Sequence, residues 1–207
     1  MSSQLRLLDI GSDSVNRTPP SETLLKTDSR SAELYSMLCQ KNGFFCFAGA
    51  LRVFPSDRCD LISLEQWNSP NLWKQEYGMM AEKCLFFAED VFGNQFGIKQ
   101  NRIVSFEAET GMVEEFADSI AEWTSKILED FDYLTGHSLA HAWQSLHTTL
   151  ATTDRLLPKI PFMLGGEYAV ENLYSVSGVK AMQWQGHLAT QLRDFPDGTT
   201  IELRVVD

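Results

Sequence analysis

His137 and His141 stand four residues apart in the stretch HSLAH, a spacing that puts two imidazoles on one helix face where they could share a metal ion. A zinc hydrolase of the HExxH type also needs a glutamate directly after the first histidine as general base, and position 138 is Ser. No third ligand lies nearby, so no metal is expected. Cys39, Cys46, Cys59 and Cys84 are separated by 7, 13 and 25 residues and contain no CxxC pair. Cys39, Cys46 and Cys84 adjoin apolar residues, so buried free thiols in a reducing compartment are expected, and with them a cytoplasmic location. No GxSxG elbow, P-loop or GxGxxG is present, His147 and His187 stand alone, and no cofactor is expected. A site assembled from distant segments, using residues such as His141, Glu167 and Tyr168, keeps an enzyme reading open.

Charge is the more informative feature. The 207 residues carry 17 Lys+Arg against 28 Asp+Glu, a formal net charge of −11. Such a chain repels phosphates, which argues against nucleic acid as partner. From Glu107 to Asp132, nine carboxylates (Glu107, Glu109, Glu114, Glu115, Asp118, Glu122, Glu129, Asp130 and Asp132) face only Lys126. Acids in a first helical turn are favoured by the helix dipole, but Glu129, Asp130 and Asp132 fall near a helix end where they are not. A solvated surface accounts for part of this pattern; the misplaced acids point to attraction of a cationic partner. The candidate partner-binding residues are Glu114, Glu115, Asp118, Glu122, Glu129, Asp130 and Asp132, with Trp184, set between Gln183 and Gln185, as a candidate exposed aromatic.

These residues must be positioned by elements that the pattern predicts. Residues 1–30, rich in Ser, Asp, Thr and Pro, read as a loose lead-in with at most a short strand or helical turn over Leu5–Ile10. A helix is expected from Ser31 to Lys41, closed by Asn42-Gly43. Short strands follow at 44–47 and 50–54, then a helix from Ile62 to Tyr77 that Pro70 divides into two pieces, burying Trp67 and Trp73. Lys83–Glu89, Gln95–Lys99, Arg102–Glu107 and Met112–Phe116 are expected as sequential antiparallel strands, because Gly93-Asn94, Gln100-Asn101 and Thr110-Gly111 supply the turns. Ser119 and Glu122 form a capping box that opens a helix running to Thr135-Gly136. A second helix is expected over 137–151, with Leu139, Trp143, Leu146 and Leu150 as its inner stripe. Extended chain around Pro158, Ala169-Val170 and 173–176, a helix from Gly178 to Arg193 and a final strand at 200–206 complete the order. The expected architecture is α+β, an antiparallel meander flanked by helices, with residues 137–207 packed on the same sheet system. No apolar run approaches the ~18 residues of a membrane helix, and the first residues lack the form of a secretory signal.

Three stretches resemble the SUKH superfamily, the domain of the yeast cell-wall assembly regulator of Smi/Knr type. LYSMLCQKNGFFCFAGALRVFP (34–55) is similar to its helix-to-Asn-Gly entrance. CLFFAEDVFGNQFGI (84–98) and RIVSFEAETGMVEEFADSIAEW (102–123) are similar to its central meander. The resemblance covers about 31–135; 137–207 looks like the C-terminal extension of a bacterial subgroup ending in GGEY…NLY…DGT. The "LP" lead common in the family is not evident before Ser31. The resemblance implies a SUKH-like domain at 31–135 with a C-terminal extension, acting as a non-enzymatic protein-binding scaffold. It implies no catalytic residues, and structural roles for Asn42, Gly43, Gly93 and Gly97. Bacterial members of this kind are immunity proteins that neutralise polymorphic or contact-dependent toxins, often nucleases, so the implied partner is a basic toxin domain. Eukaryotic members imply the alternative, a general regulatory or interaction module without a toxin.

Overall fold

Tight turns fold residues 44–117 back and forth into one antiparallel sheet. Its six strands are β1 (Phe44–Cys46), β2 (Leu51–Val53), β3 (Leu85–Glu89), β4 (Gln95–Lys99), β5 (Arg102–Phe106) and β6 (Val113–Ala117), paired in sequence order. The computed structural model describes residues 2–22, 28–57, 59–193 and 195. Gln100 and Asn101 adopt φ of 50° and 61°, the pair of left-handed residues that a two-residue hairpin between twisted strands requires. At the β3–β4 turn the Asp90 carboxylate accepts from the amides of Phe92 and Asn94 at 2.8 and 2.9 Å and from Asn94 Nδ2 at 2.8 Å. The strands expected from the turn residues are therefore in place, and the architecture is α+β with helices on the sheet.

Both faces of the sheet are covered at β3, which explains why Phe86, Phe87 and Ala88 are all buried. The β3–β4 ladder shifts register between Phe86 and Ala88. Phe86 meets Trp73 on one side at 5.3 Å between ring centroids, and Phe87 meets Trp123 on the other at 5.1 Å. On the Phe86 side the chain runs through α3 (Leu64–Trp67), a π-turn opened by Pro70, and α4 (Gln75–Tyr77), stacking Trp67, Trp73 and Tyr77 into an aromatic layer. On the Phe87 side lie α1 (Ser3–Ile10), α2 (Ser29–Gln40) and α5 (Ile120–Glu129).

Helix α1 corrects the expectation of a loose lead-in. Ser2 caps it by accepting the Leu5 amide, Leu7 and Leu8 are buried, and Lys41 Nζ ties its end down through the carbonyls of Leu8 and Gly11. Its order comes from tertiary burial, which local composition does not report. The helix expected from 119 to 135 is also broken. Asp130, at φ −134° and ψ 49°, ends α5 and redirects the chain into α6 (Phe131–Thr135). Ser119 accepts the Glu122 amide as expected, but the Glu122 carboxylate reaches the amide of Asp118, one residue before the cap.

Helix α7 (His137–Leu146) stops short of 151, and Leu146 is 70 % exposed, so the inner stripe ends at Trp143. The polar, β-branched run His147-Thr148-Thr149 supplies nothing to bury beyond it. β7 (Asp154–Pro158) and β8 (Leu173–Ser177) pair antiparallel as a second, two-stranded sheet; of Ala169-Val170, expected as extended, Ala169 is extended and Val170 opens a 3₁₀ turn over Val170–Asn172. Helix α8 (Gly178–Leu192) packs on α4 and the π-turn. The strand expected at 200–206 and the turn at 196–198 lie outside the described residues.

The C-terminal part is joined to the first sheet by buried charge. Arg52 and Arg155 both pair with Glu89, the first at 2.7 Å, and all three side chains are nearly inaccessible. Burial pushes Arg52 down to about 9, against the pull of Glu89. The Leu156 amide also bonds the carbonyl of Val91 at 2.8 Å. Of the cysteines, Cys46 and Cys84 are buried and burial raises both thiols to about 12, but Cys39 is exposed and Cys59 half-buried. Cys39 misses the core because α2 turns Leu34, Met37 and Leu38 inward, leaving the next residue on the solvent side.

Candidate functional site

Register places Phe96, Ser105 and Glu114 side by side across β4, β5 and β6, on the face that carries Trp123. The neighbouring row, Ile98 beside Ile103, is sealed, and Lys126 Nζ fastens α5 to β6 through the carbonyl of Phe116 at 2.6 Å. At Asp130 the cover ends. Helices α6 and α7 then stand away from the Phe96–Ser105–Glu114 row, leaving a cleft of about 790 Å³.

Phe96 and Phe116, 5.1 Å apart, belong to the lining, as does Phe92. Gly136, at φ +70°, ends α6 against Phe92; a side chain there would collide with the ring. The α6 side contributes Asp132, Tyr133 and Leu134, and the Asp132 carboxylate accepts the Ser138 amide at 2.6 Å as it turns the chain into α7. Hydrogen bonding from the Ser138 hydroxyl, and then from its amide, holds the Asp132 carboxyl below the usual range. The far wall is Tyr168, stacked flat on Phe162 at 3.9 Å. Its loop is held by Glu109, whose two oxygens accept the amides of Phe162 and Met163 at 3.0 and 2.8 Å. Tyr133 and Tyr168 are 83 % and 70 % exposed and Met112 is half exposed, so the mouth offers large amphipathic side chains.

Electrostatically the cleft is one-sided. Asp90, Glu107, Glu114 and Asp132 line it, and no Lys, Arg or His does. Burial pushes Asp90 up to about 7, against the three hydrogen bonds that favour its charged form. Burial and then the charges of Glu109 and Glu107 raise the Tyr168 phenol. A concave, low-dielectric surface of this kind concentrates negative potential and attracts cations.

The structure thus brings together two of the acids expected to meet a partner, Glu114 and Asp132. Glu115 points to the opposite face of β6, in the row of Gly97 and Val104, and is exposed. Asp118 pairs with Arg102, and Glu122 pairs with Lys126 at 3.1 Å. Glu129 and Asp130 are exposed at the α5–α6 break. Trp184 is 39 % exposed on α8 and does not line the cleft. Glu109, counted in the acidic stretch, is buried and holds a loop. Tyr168 lies at the cleft while His141 and Glu167 do not line it, and the described residues hold no group of three or more His, Cys, Asp or Glu placed to hold a metal ion. Asp90, Glu107, Met112 and Tyr133 were not singled out as site residues from sequence; the Asp-x-x-x-Asn turn at 90–94 was the available signal for the first.

No protein-family model and no curated protein matches the chain. Among solved structures it is similar to Atu4351 from Agrobacterium tumefaciens, with a TM-score of 0.55 and 14 % identity over 87 % of this chain and 86 % of that one. At that identity the likeness is one of fold. No helix among the described residues is long and apolar enough to cross a membrane.

Proposed function

We propose that the protein is a non-enzymatic binding domain of the cytoplasm that docks a basic partner protein in the acidic cleft, acting as an immunity protein toward a toxin. The observation that carries this reading is a cleft with four carboxyl groups, a mouth formed by Tyr133, Tyr168 and Met112, and no basic residue in its lining. Tyrosines at a concave surface are frequent binding hot spots, and uncompensated charge speeds encounter with an oppositely charged surface. The same charge disfavours nucleic acid itself as ligand. The resemblance to SUKH immunity proteins supplies the toxin, and the free thiols fit a reducing compartment.

The enzyme reading draws on Asp90, a lining carboxyl with a raised pKa. Both of its oxygens are occupied by the donors of its own turn, and no imidazole or thiol lines the cleft with the Ser105 and Ser138 hydroxyls, so its geometry favours a structural role.

The test is affinity capture from the organism that encodes the protein, with wild type beside a Glu107→Lys/Glu114→Lys/Asp132→Lys variant. The expected result is a basic protein retained by wild type and lost by the variant, which arrests growth when expressed alone and not when co-expressed. Equal capture by the variant would refute the cleft as docking site. A captured basic partner without toxicity would assign the general interaction module instead.

A further inference from the structure

Behind Tyr168 the cleft continues into a recess of about 30 Å³, sharing Phe92, Asn94, Glu107 and Tyr168 with it and bounded additionally by Glu109, Phe162 and Gln185. Gln185 is 1 % exposed. Its Nε2 donates to the carbonyl of Phe92 at 3.1 Å, which fixes the amide, and its Oε1 has no hydrogen-bond partner. A buried amide oxygen without a donor costs stability, and a site that keeps one is built to receive a donor. The Asn94 side-chain amide is spent on Asp90 and the Ala108 amide, and Glu109 already accepts the Phe162 and Met163 amides. Beside the Tyr168 hydroxyl the recess therefore offers acceptors under a negative charge: Glu107, Glu109 and that unpartnered oxygen. A group with several N–H donors, no acceptor and a positive charge satisfies them, and a lysine ammonium has three donors on a compact head. The recess is about the size of one such head; a planar guanidinium needs a wider slot.

We infer that the recess behind Tyr168 receives the ammonium of one lysine side chain of the docked partner, with the alkyl stem lying along Phe92 and Tyr168. This rests on the protein-binding reading above and names the group through which the partner is anchored. Apolar walls suit the stem of a lysine, whose methylenes favour such surfaces while the charge sits at a polar end.

The experiment uses n-butylammonium chloride as the probe, titrated into the full-length protein and followed by NMR at the Gln185 side-chain amide and Tyr168 ring. Saturable shifts are expected, with n-butanol giving none and n-butylguanidinium binding more weakly. Gln185→Met and Glu107→Gln should each weaken the probe about tenfold, as loss of a hydrogen bond to a charged group does. Glu65→Gln, which removes the same charge from α3, should change affinity less than twofold; backbone spectra confirm that each variant is folded. Shifts that do not saturate, equal binding of butanol, preference for the guanidinium, or unchanged affinity in both recess variants would each overturn the inference. Because the probe needs no partner, its binding is read independently of the capture experiment: either result can fail while the other stands.

Discussion

One sheet face has two fates along the strand direction. Where β4 and β5 present Ile98 and Ile103 the side chains are excluded from water, and α5 packs on this face over β6 and, through Trp123, on Phe87 and Phe96. In the neighbouring row Phe96 is buried against Trp123 of α5, but Ser105 is only half-buried and Glu114 exposed, so the helical cover stops part-way across the sheet. Apolar area is what draws a helix onto a sheet, at about 25 cal/mol per Å² removed from water, and a Ser–Glu row offers little of it. The break at Asp130 falls where that reward ends. The comparison teaches that the cleft is a row the core never fully claimed, which leaves Glu114 exposed at its edge.

Damage to the covered half should be the most costly. We expect Trp123→Ala to lower stability by about 3–5 kcal/mol in urea unfolding, the usual range for truncating a large buried aromatic. A loss below about 1 kcal/mol would mean that α5 does not seal the sheet.

A pH difference probes the boundary between the halves. Asp90 titrates at about 7 in the folded chain, whereas an unfolded aspartate titrates near 3.9. The folded state therefore holds this proton more tightly, so the contribution is fully present below about pH 4 and is lost as pH rises through about 7. Relative to Asp90→Asn, the wild type should gain stability on acidification across that window, by up to about 4 kcal/mol. Parallel pH profiles for the two proteins would remove Asp90 from the account.

Glu109→Gln should act on one wall only. Replacing a charged acceptor of two backbone amides by a neutral one is expected to cost about 1–2 kcal/mol. Hydrogen exchange at the Phe162 and Met163 amides should accelerate while exchange in β4 and β5 stays slow. Uniform acceleration would show that the Tyr168 loop is no separate wall.

The covered half was legible because its signals are local. Gln100-Asn101 and Thr110-Gly111 mark turns by residue type, and Ile120, Trp123 and Ile127 recur at helical spacing, so the strands and the start of α5 are placed within a residue or two, though not its end at Glu129. The cleft was legible only in its charge. Its lining comes from the turn after β3, the row across β4–β6, the α6–α7 corner and the loop ending at Tyr168, four segments that no motif connects. Trp184 was chosen because its sequence neighbours are polar, whereas the cleft aromatics Tyr133 and Tyr168 sit in stretches that read as helix end and turn. Leu146 failed for the converse reason: periodicity continues past the point where tertiary structure offers a surface to meet.

The smallest effect on stability should carry the largest functional consequence. Glu114→Gln with Asp132→Asn, which keeps an acceptor for the Ser138 amide, should leave unfolding nearly unchanged, as surface substitutions do. The measurement that tests the central claim most directly is the association rate of this double variant and of wild type with the captured basic partner, across a series of salt concentrations. The account predicts slower association for the variant at low salt and a shallower fall with added salt, the two rates converging as charges are screened over the ~8–10 Å Debye length. Identical rates and slopes for the two proteins would show that the partner docks elsewhere and that the acidic cleft is only solvated surface.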